Sequence, residues 1–512
     1  MIGKYRVGIG FGVALVVAIA AWLYWQPILT SSSSESVLSA TQIVQSRECD
    51  FVSRYGFRVD CYWVSVGEGG VQARLAAAIF RAADENAPAD PLVYLAGGPG
   101  ETGNTDASGL SVWDLWLAET ALKRDFVLLD LRGLSPSEPV WDCVDYTKTS
   151  RELLNQNLTF AQEGEIIEPV LEACLSQWRE NLARQHGPVA EISDFSSQLN
   201  AADLGISLRS LGYDQWNYLA VSYGTRVALL AAMQQPEVRR VILDSPYPLE
   251  RGSISDSVTL WVEAFARYWR WCAAQSCEFT EPQFWQLMAD LRQEPVWVEM
   301  ENWRTGGTEQ WLLNDGRLAA VLYTAFYSSE LTNRLALALR HYVSGDGREL
   351  NKILEIFFNQ AFDSHFNSAM YWATECNDNP LEDEEAFART LMESGLWRPF
   401  FAADWQYNVC RSEVFRPGQL PLMKLLPVPF LVVAGELDPI TTAAHAREVM
   451  TWLPNGYLLV QEARSHAEFF MGECGQDVIP WFLQATPEQL VLEWSERSAA
   501  CRSMGVEAGD GG

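Results

Sequence analysis

Positive charge is scarce in this chain. Its 512 residues carry 37 lysines and arginines against 66 aspartates and glutamates, a formal net charge of −29. That balance excludes nucleic-acid binding, which needs basic patches against phosphate, and adsorption to anionic lipid surfaces. Histidine is scarce too: His186, His341, His365, His445 and His466 are the full set. None of the ten cysteines stands in C-x-x-C spacing, which argues against thiol redox chemistry and a zinc site. No repeat of solenoid period occurs, and the only low-complexity tract is the serine run at residues 31–34. No motif calls for a metal or an organic cofactor. What remains is a long chain, 48% apolar or aromatic with 21 tryptophans. It is large enough for more than one domain and a sizeable core.

The most informative stretch is residues 216–225, Trp-Asn-Tyr-Leu-Ala-Val-Ser-Tyr-Gly-Thr, followed by a helical Arg-Val-Ala-Leu-Leu-Ala-Ala-Met run. An apolar strand, a tight turn with a serine at its tip and a helix form an elbow that holds a hydroxyl clear of the backbone. Ser222 is the candidate nucleophile. Ala220 takes the place of the first glycine of the Gly-x-Ser-x-Gly pattern. A serine hydroxyl needs a base, and the base needs a carboxylate to fix its tautomer and stabilise the imidazolium. Both follow in chain order. Asp438 lies just past the apolar run at residues 428–434, and His466 lies on a loop after the apolar run at 457–460. His445, in a helical pattern, reads as a surface or helix-face histidine and is the one rival base.

Upstream, an apolar strand at residues 92–96 runs into Gly97-Gly98-Pro99-Gly100-Glu101-Thr102-Gly103. Glycines there let backbone N–H groups approach a ligand oxygen. Such a loop supplies half of an oxyanion hole, the N–H after the nucleophile, on Tyr223, supplying the other half. Asp130 and Arg132, after a further apolar strand at 126–129, read as a structural pair bracing this loop.

Taken together these pieces resemble the proline iminopeptidase and tripeptidyl aminopeptidase family of serine α/β-hydrolases. The matching motifs are Gly97-Gly98-Pro99-Gly100, Asp130-Leu-Arg132-Gly133-x-x-x-Ser137, Val221-Ser222-Tyr223-Gly224-Thr225, Val241-Ile-Leu-Asp244-Ser-Pro, Gly435-Glu-Leu-Asp438-Pro and Ser465-His466. The Ser-Tyr-Gly-Thr form and the late cysteines are more similar to the secreted tripeptidyl aminopeptidase branch. Ala96 and the Leu134-Ser-Pro-Ser137 turn depart from the family pattern. The resemblance implies an exopeptidase that releases short N-terminal peptides or residues through an acyl-enzyme. It also implies Gly98 as the second oxyanion donor and a peptide substrate whose free amine is held by cap carboxylates. Glu375 is the first candidate for that anchor and Asp378 the second. A carboxylic ester hydrolase would use the same three catalytic residues. A catalytically silent hydrolase fold that only binds is the alternative of another class.

The expected architecture is a mostly parallel α/β-hydrolase sheet flanked by helices, with an inserted helical cap. Residues 31–246 and 428–504 form the two parts of the core, 247–427 the cap, and 505–512 a disordered acidic tail. The strands near residues 60–65 and 74–80 are expected to pair as an edge hairpin. The aromatic stripes of the cap read mainly as core. Residues 1–30 hold Lys4 and Arg6 before an apolar run from 7 to 25, a signal peptide or, as Trp22, Tyr24 and Trp25 favour, an uncleaved anchor. Either puts the catalytic body outside the cytoplasm, periplasmic or secreted, with a possible tether to the inner membrane. Ten cysteines suit that compartment. Sequence does not fix connectivity. Neighbour pairing, Cys49–Cys61, Cys143–Cys174, Cys272–Cys277, Cys376–Cys410 and Cys474–Cys501, is the simplest scheme, each bridge worth about 2–4 kcal/mol.

Overall fold

The computed structural model describes residues 43–502 apart from 68, 85, 102–104, 364, 380, 402–404 and 416–419. The N-terminal apolar segment, the serine tether and the C-terminal tail lie outside the described residues. Among the described residues no helix is long and apolar enough to cross a membrane.

The core is a nine-stranded sheet built from β1 (Val44–Arg47), β2 (Val59–Val66), β3 (Ala73–Phe80), β4 (Leu92–Leu95), β5 (Phe126–Leu129), β6 (Trp216–Val221), β7 (Val238–Asp244), β10 (Phe430–Gly435) and β11 (Gly456–Gln461). Their spatial order is β1-β2-β3-β5-β4-β6-β7-β10-β11. The pairings from β5 through to β11 are parallel, whereas those among β1, β2, β3 and β5 are antiparallel. Parallel neighbours need crossovers, and helices Ala107–Glu119, Ser197–Ser210, Tyr223–Gln234 and Ala443–Met450 supply them. Covering helices on both faces explain the unbroken apolar strands. In β6, Trp216, Tyr218 and Ala220 face one core with Leu204, Leu208, Val227 and Leu230. Leu219 and Val221 face the other, with Trp113, Trp116, Ile479 and Phe482. The β2–β3 hairpin forms as expected, but β1, of sequence Val-Gln-Ser-Arg, pairs outside it and is the true edge.

The cap differs from the expected helical insertion in two ways. It contains an antiparallel hairpin of β8 (Val296–Asn302) and β9 (Gly307–Leu313). Alternate residues of β8 (Val298, Met300 and Asn302) are buried, the period-2 pattern of a one-sided strand. It also draws on chain assigned by sequence to the first part of the core. Helix Phe160–His186, between β5 and β6, buries Ile167, Leu171, Leu175, Trp178 and Leu182, spaced by threes and fours along one stripe. Leu171, Leu175, Trp178 and Leu182 belong to one cluster with Ala369, Met370 and Trp372 of helix Ser368–Asp378. Arg317 fastens the same region, donating to the carbonyls of Leu153 at 2.7 Å and Gln156 at 2.8 Å.

All five disulfides join sequence neighbours as expected. Mass spectrometry of the alkylated protein tests this: no adduct forms before reduction, and ten form after it.

Candidate active site

Ser222 ends β6 and precedes helix Tyr223–Gln234 with φ of 51°, a strained value for a residue with a side chain. Its N–H donates to the Asp244 carbonyl at 2.9 Å, and the Thr225 N–H returns to the Ser222 carbonyl at 3.0 Å. Gly224 permits the turn to dock on β4. A Cβ there would lie 2.6 Å from the Ala96 carbonyl oxygen and closer still to that of Leu95. Ala220 is fully buried, in register between Leu95 and Leu243, so a methyl group fits where the pattern has glycine.

Asp438 follows β10 and is fully buried. Its Oδ1 accepts from the Ile440 and Thr441 N–H groups at 3.0 and 2.9 Å. Its Oδ2 accepts from the Thr441 hydroxyl at 2.9 Å and stands 2.9 Å from His466 Nδ1. The carboxylate makes that nitrogen the donor, which leaves Nε2 as the acceptor. Burial disfavours an imidazolium, but the charge and hydrogen bond of Asp438 outweigh it and raise His466 above its ordinary value. Burial likewise disfavours the Asp438 carboxylate, and His466 with the Ile440 N–H and the Thr441 hydroxyl holds it below the ordinary range. Ser222 and His466 line one cavity of roughly 400 Å³.

Cap residues hold both loops. Arg267 donates to the Asp438 carbonyl at 2.8 Å. The Tyr327 ring stands edge-on to His466 at 4.9 Å between centroids. The Ser465 hydroxyl donates to the Phe326 carbonyl, and the Glu468 carboxylate accepts from the N–H groups of Ser329 at 2.7 Å and Ser465 at 3.1 Å. Asp244, at the end of β7, accepts from the Phe470 N–H at 3.0 Å, and burial pushes its carboxyl up to about 7.

On the opposite side of Ser222, Gly97 and Gly98 line the cavity. A Cβ on Gly97 would lie 3.3 Å from the Ser222 Cβ, and Gly98 has φ of +102°, so both positions favour glycine. Tyr223 opens its helix, where an N–H has no acceptor within the helix. Its buried phenol receives hydrogen bonds from Ser197 or Asn200, at 2.8 and 3.1 Å. The glycine loop is tied to the cap by the Asn367 N–H, 2.9 Å from the Gly100 carbonyl. Asp130 accepts from the Thr105 hydroxyl just beyond that loop. Arg132 grips the fully buried Asp203 with two hydrogen bonds, at 2.7 and 2.8 Å. Both therefore carry structure.

The two cap carboxylates separate. Glu375 lines the cavity with Ser222. Asn379 donates to it at 2.6 Å and the Tyr247 hydroxyl at 3.4 Å. Burial raises its carboxyl to about 7, against the pull of Arg226. Asp378 is not on the cavity wall: it is spent on the Ser197 N–H, at 3.1 Å, inside the core. Two groups went unrecognised in sequence. Glu101 faces the cavity, and enclosure raises its carboxyl against the attraction of His466; its place directly after the glycine loop was the available signal. Asp256 lines the same wall, capping its helix through the Gly252 N–H at 2.9 Å. His445, read from sequence as a surface or helix-face histidine and the one rival base, is only 8% exposed and also lines the cavity. Among the described residues no group of three or more His, Cys, Asp or Glu is arranged to hold a metal ion.

Residues 90–288 match the family described as alpha/beta hydrolase fold, and residues 398–489 the family described as TAP-like protein. The chain is similar to the serine protease Hip1 of Mycobacterium tuberculosis, 24% identical over 75% of this chain and 76% of the relative. It is similar to the tripeptidyl aminopeptidase of Streptomyces coelicolor, 25% identical over 73% of this chain and 70% of the relative. The solved proline iminopeptidase of Mycobacterium smegmatis aligns over 86% of this chain and 99% of its own length, at 16% identity and a TM-score of 0.35.

The clamp on the histidine loop yields a prediction. Glu468→Ala removes the acceptor for Ser329 and Ser465. We expect kcat to fall about 10–100-fold with KM little changed, the signature of a misplaced base; steady-state kinetics beside a melting curve measures it.

Proposed function

We propose that this chain, of the α/β-hydrolase fold and with a C-terminal stretch matching the TAP-like family, is a serine exopeptidase releasing short N-terminal peptides or residues from peptides with a free amine. The observation that carries this reading is one cavity wall shared by Ser222, His466 and Glu375, with His466 Nδ1 2.9 Å from Asp438 Oδ2. His466 Nε2 takes the Ser222 proton as Oγ attacks the scissile carbonyl, and the tetrahedral oxyanion rests on the N–H groups of Tyr223 and Gly98. The imidazolium, stabilised by Asp438, then protonates the leaving amine. Water enters and attacks the ester carbonyl as His466 takes its proton; His466 returns that proton to Ser222 Oγ as the ester bond breaks, and the acyl group leaves as a carboxylate. Glu375 holds the substrate's ammonium, selecting chains whose amine is free. Glu101 and Asp256 share the same cavity wall.

The five disulfides support an extracytoplasmic, oxidising setting. The apolar segment at residues 7–25 supports export or a membrane tether.

Three measurements test the proposal. Ser222→Ala is expected to keep the melting temperature and lose about 10⁴–10⁶-fold in kcat; retention of most activity would overturn the mechanism. N-terminal acetylation of a cleaved peptide is expected to lower kcat/KM about 10–100-fold, the range expected for losing a desolvated charge partner, and Glu375→Gln should abolish the distinction. Indifference to acetylation, with acyl esters cleaved faster than peptides, would favour the esterase. The pH dependence has a defined sign. His466 must be neutral to act as base and its pKa is raised, so kcat climbs with pH on a limb lying above the ordinary imidazole value. Glu375 ionises near about 7 and an α-amine loses its charge near about 8. KM for free-amine peptides is therefore expected to pass through a minimum between those values.

A further inference from the structure

Beside the catalytic cavity the cap encloses a second chamber of roughly 380 Å³. Ser257, Tyr327, Tyr371 and Ile440 line both spaces, so the two adjoin. The chamber wall is mainly aromatic. Trp261 stacks on Tyr323 with centroids 4.3 Å apart and meets Phe401 edge-on, and Phe400 and Trp405 extend the lining. Its polar groups are few. Glu163 is paired with Arg317 at 3.0 Å, which leaves Ser257, Gln406 and the tyrosine hydroxyls. An ionic side chain entering here would lose its water without an opposite charge to meet it. An apolar one would shed its hydration against ring faces. The volume suits the largest amino-acid side chain, whereas a helix, about 10 Å wide, does not fit.

The chamber's position identifies which side chain reaches it. Tyr371 and Glu375 are four residues apart on helix Ser368–Asp378, hence neighbours on one face. The mouth therefore opens one helical turn from the carboxylate assigned to the substrate amine. Its other border, Tyr327, touches the His466 ring. We propose that this chamber is the specificity subsite for the side chain of the residue bearing the free amine, and that it selects apolar, above all aromatic, N-terminal residues. The inference rests on the exopeptidase reading and names its substrate class. The cap rings, read from sequence mainly as core, thus include a recognition surface.

The test uses full-length protein and free-amine peptides X-Ala-Ala-Ala-Ala, with X glycine, lysine, leucine, phenylalanine or tryptophan. The expected result is a kcat/KM at least tenfold higher for leucine and phenylalanine than for glycine or lysine. Ser257 is exposed where the spaces meet, so Ser257→Phe plugs the mouth without displacing core atoms. It should bring the apolar peptides to within about twofold of the glycine peptide, read as a ratio within the variant, in protein that still labels at Ser222 with a fluorophosphonate. A second exposed site, Gln406→Glu, puts an unpaired carboxylate into the chamber and should raise the lysine peptide at least fivefold relative to glycine. A flat wild-type profile, or a preference that survives Ser257→Phe in protein that still labels, overturns the subsite while leaving the exopeptidase reading standing. Failure to cleave any of these peptides by protein that labels normally overturns both.

Discussion

The contact between His466 and Asp438 is the constraint around which the rest of the chain is arranged. A carboxylate with no solvent exposure is tolerable only when its lone pairs are filled. Here two backbone N–H groups, one hydroxyl and one imidazole fill them. The donors come from the turn after β10 and the loop after β11, which adjoin only because those strands pair in parallel register, Gly435 against Gln461. The nucleophile comes from β6, on the far side of β7. All three side chains therefore leave the sheet at the carboxyl ends of its strands, where an open parallel sheet presents its ligands.

Electrostatics around this contact are milder than the formal charge of the chain suggests. Asp244 and Glu375 sit at about 7 because burial opposes their ionisation, and Glu101 is raised for the same reason. Near neutral pH Asp244 and Glu375 are thus only partly ionised, and the dominant negative charge beside the imidazole is that of Asp438. This keeps the field at His466 directional rather than diffuse. On the proposed reading it also leaves Glu375 free to charge when a substrate ammonium arrives, since an opposite charge favours the ionised form.

Legibility in the sequence followed how local each signal was. The elbow at Ser222 and the strand-end loops carrying Asp438 and His466 are short patterns set by adjacent residues, so their positions could be read directly. The same holds for the glycine loop, and for disulfides that join neighbours. The cap resisted because its outcome depends on distant packing. Glu375 and Asp378 are three residues apart on one helix, and only the docking of that helix against Ser197 sends one carboxylate to the core and the other to the cavity. His445 carries no sequence mark of burial. β1 has no alternation of its own and exists because β2 offers it an edge. The β8 alternation was present, but lay within a region dominated by helical spacing.

The bonds from Phe326, Ser329 and Arg267 to the loops bearing His466 and Asp438 bear on how a substrate arrives. A lid that swung aside at this seam would dismantle the very apparatus it uncovered. Opening at this seam is therefore incompatible with a working base, and the roof stays over the cavity through any turnover the site supports.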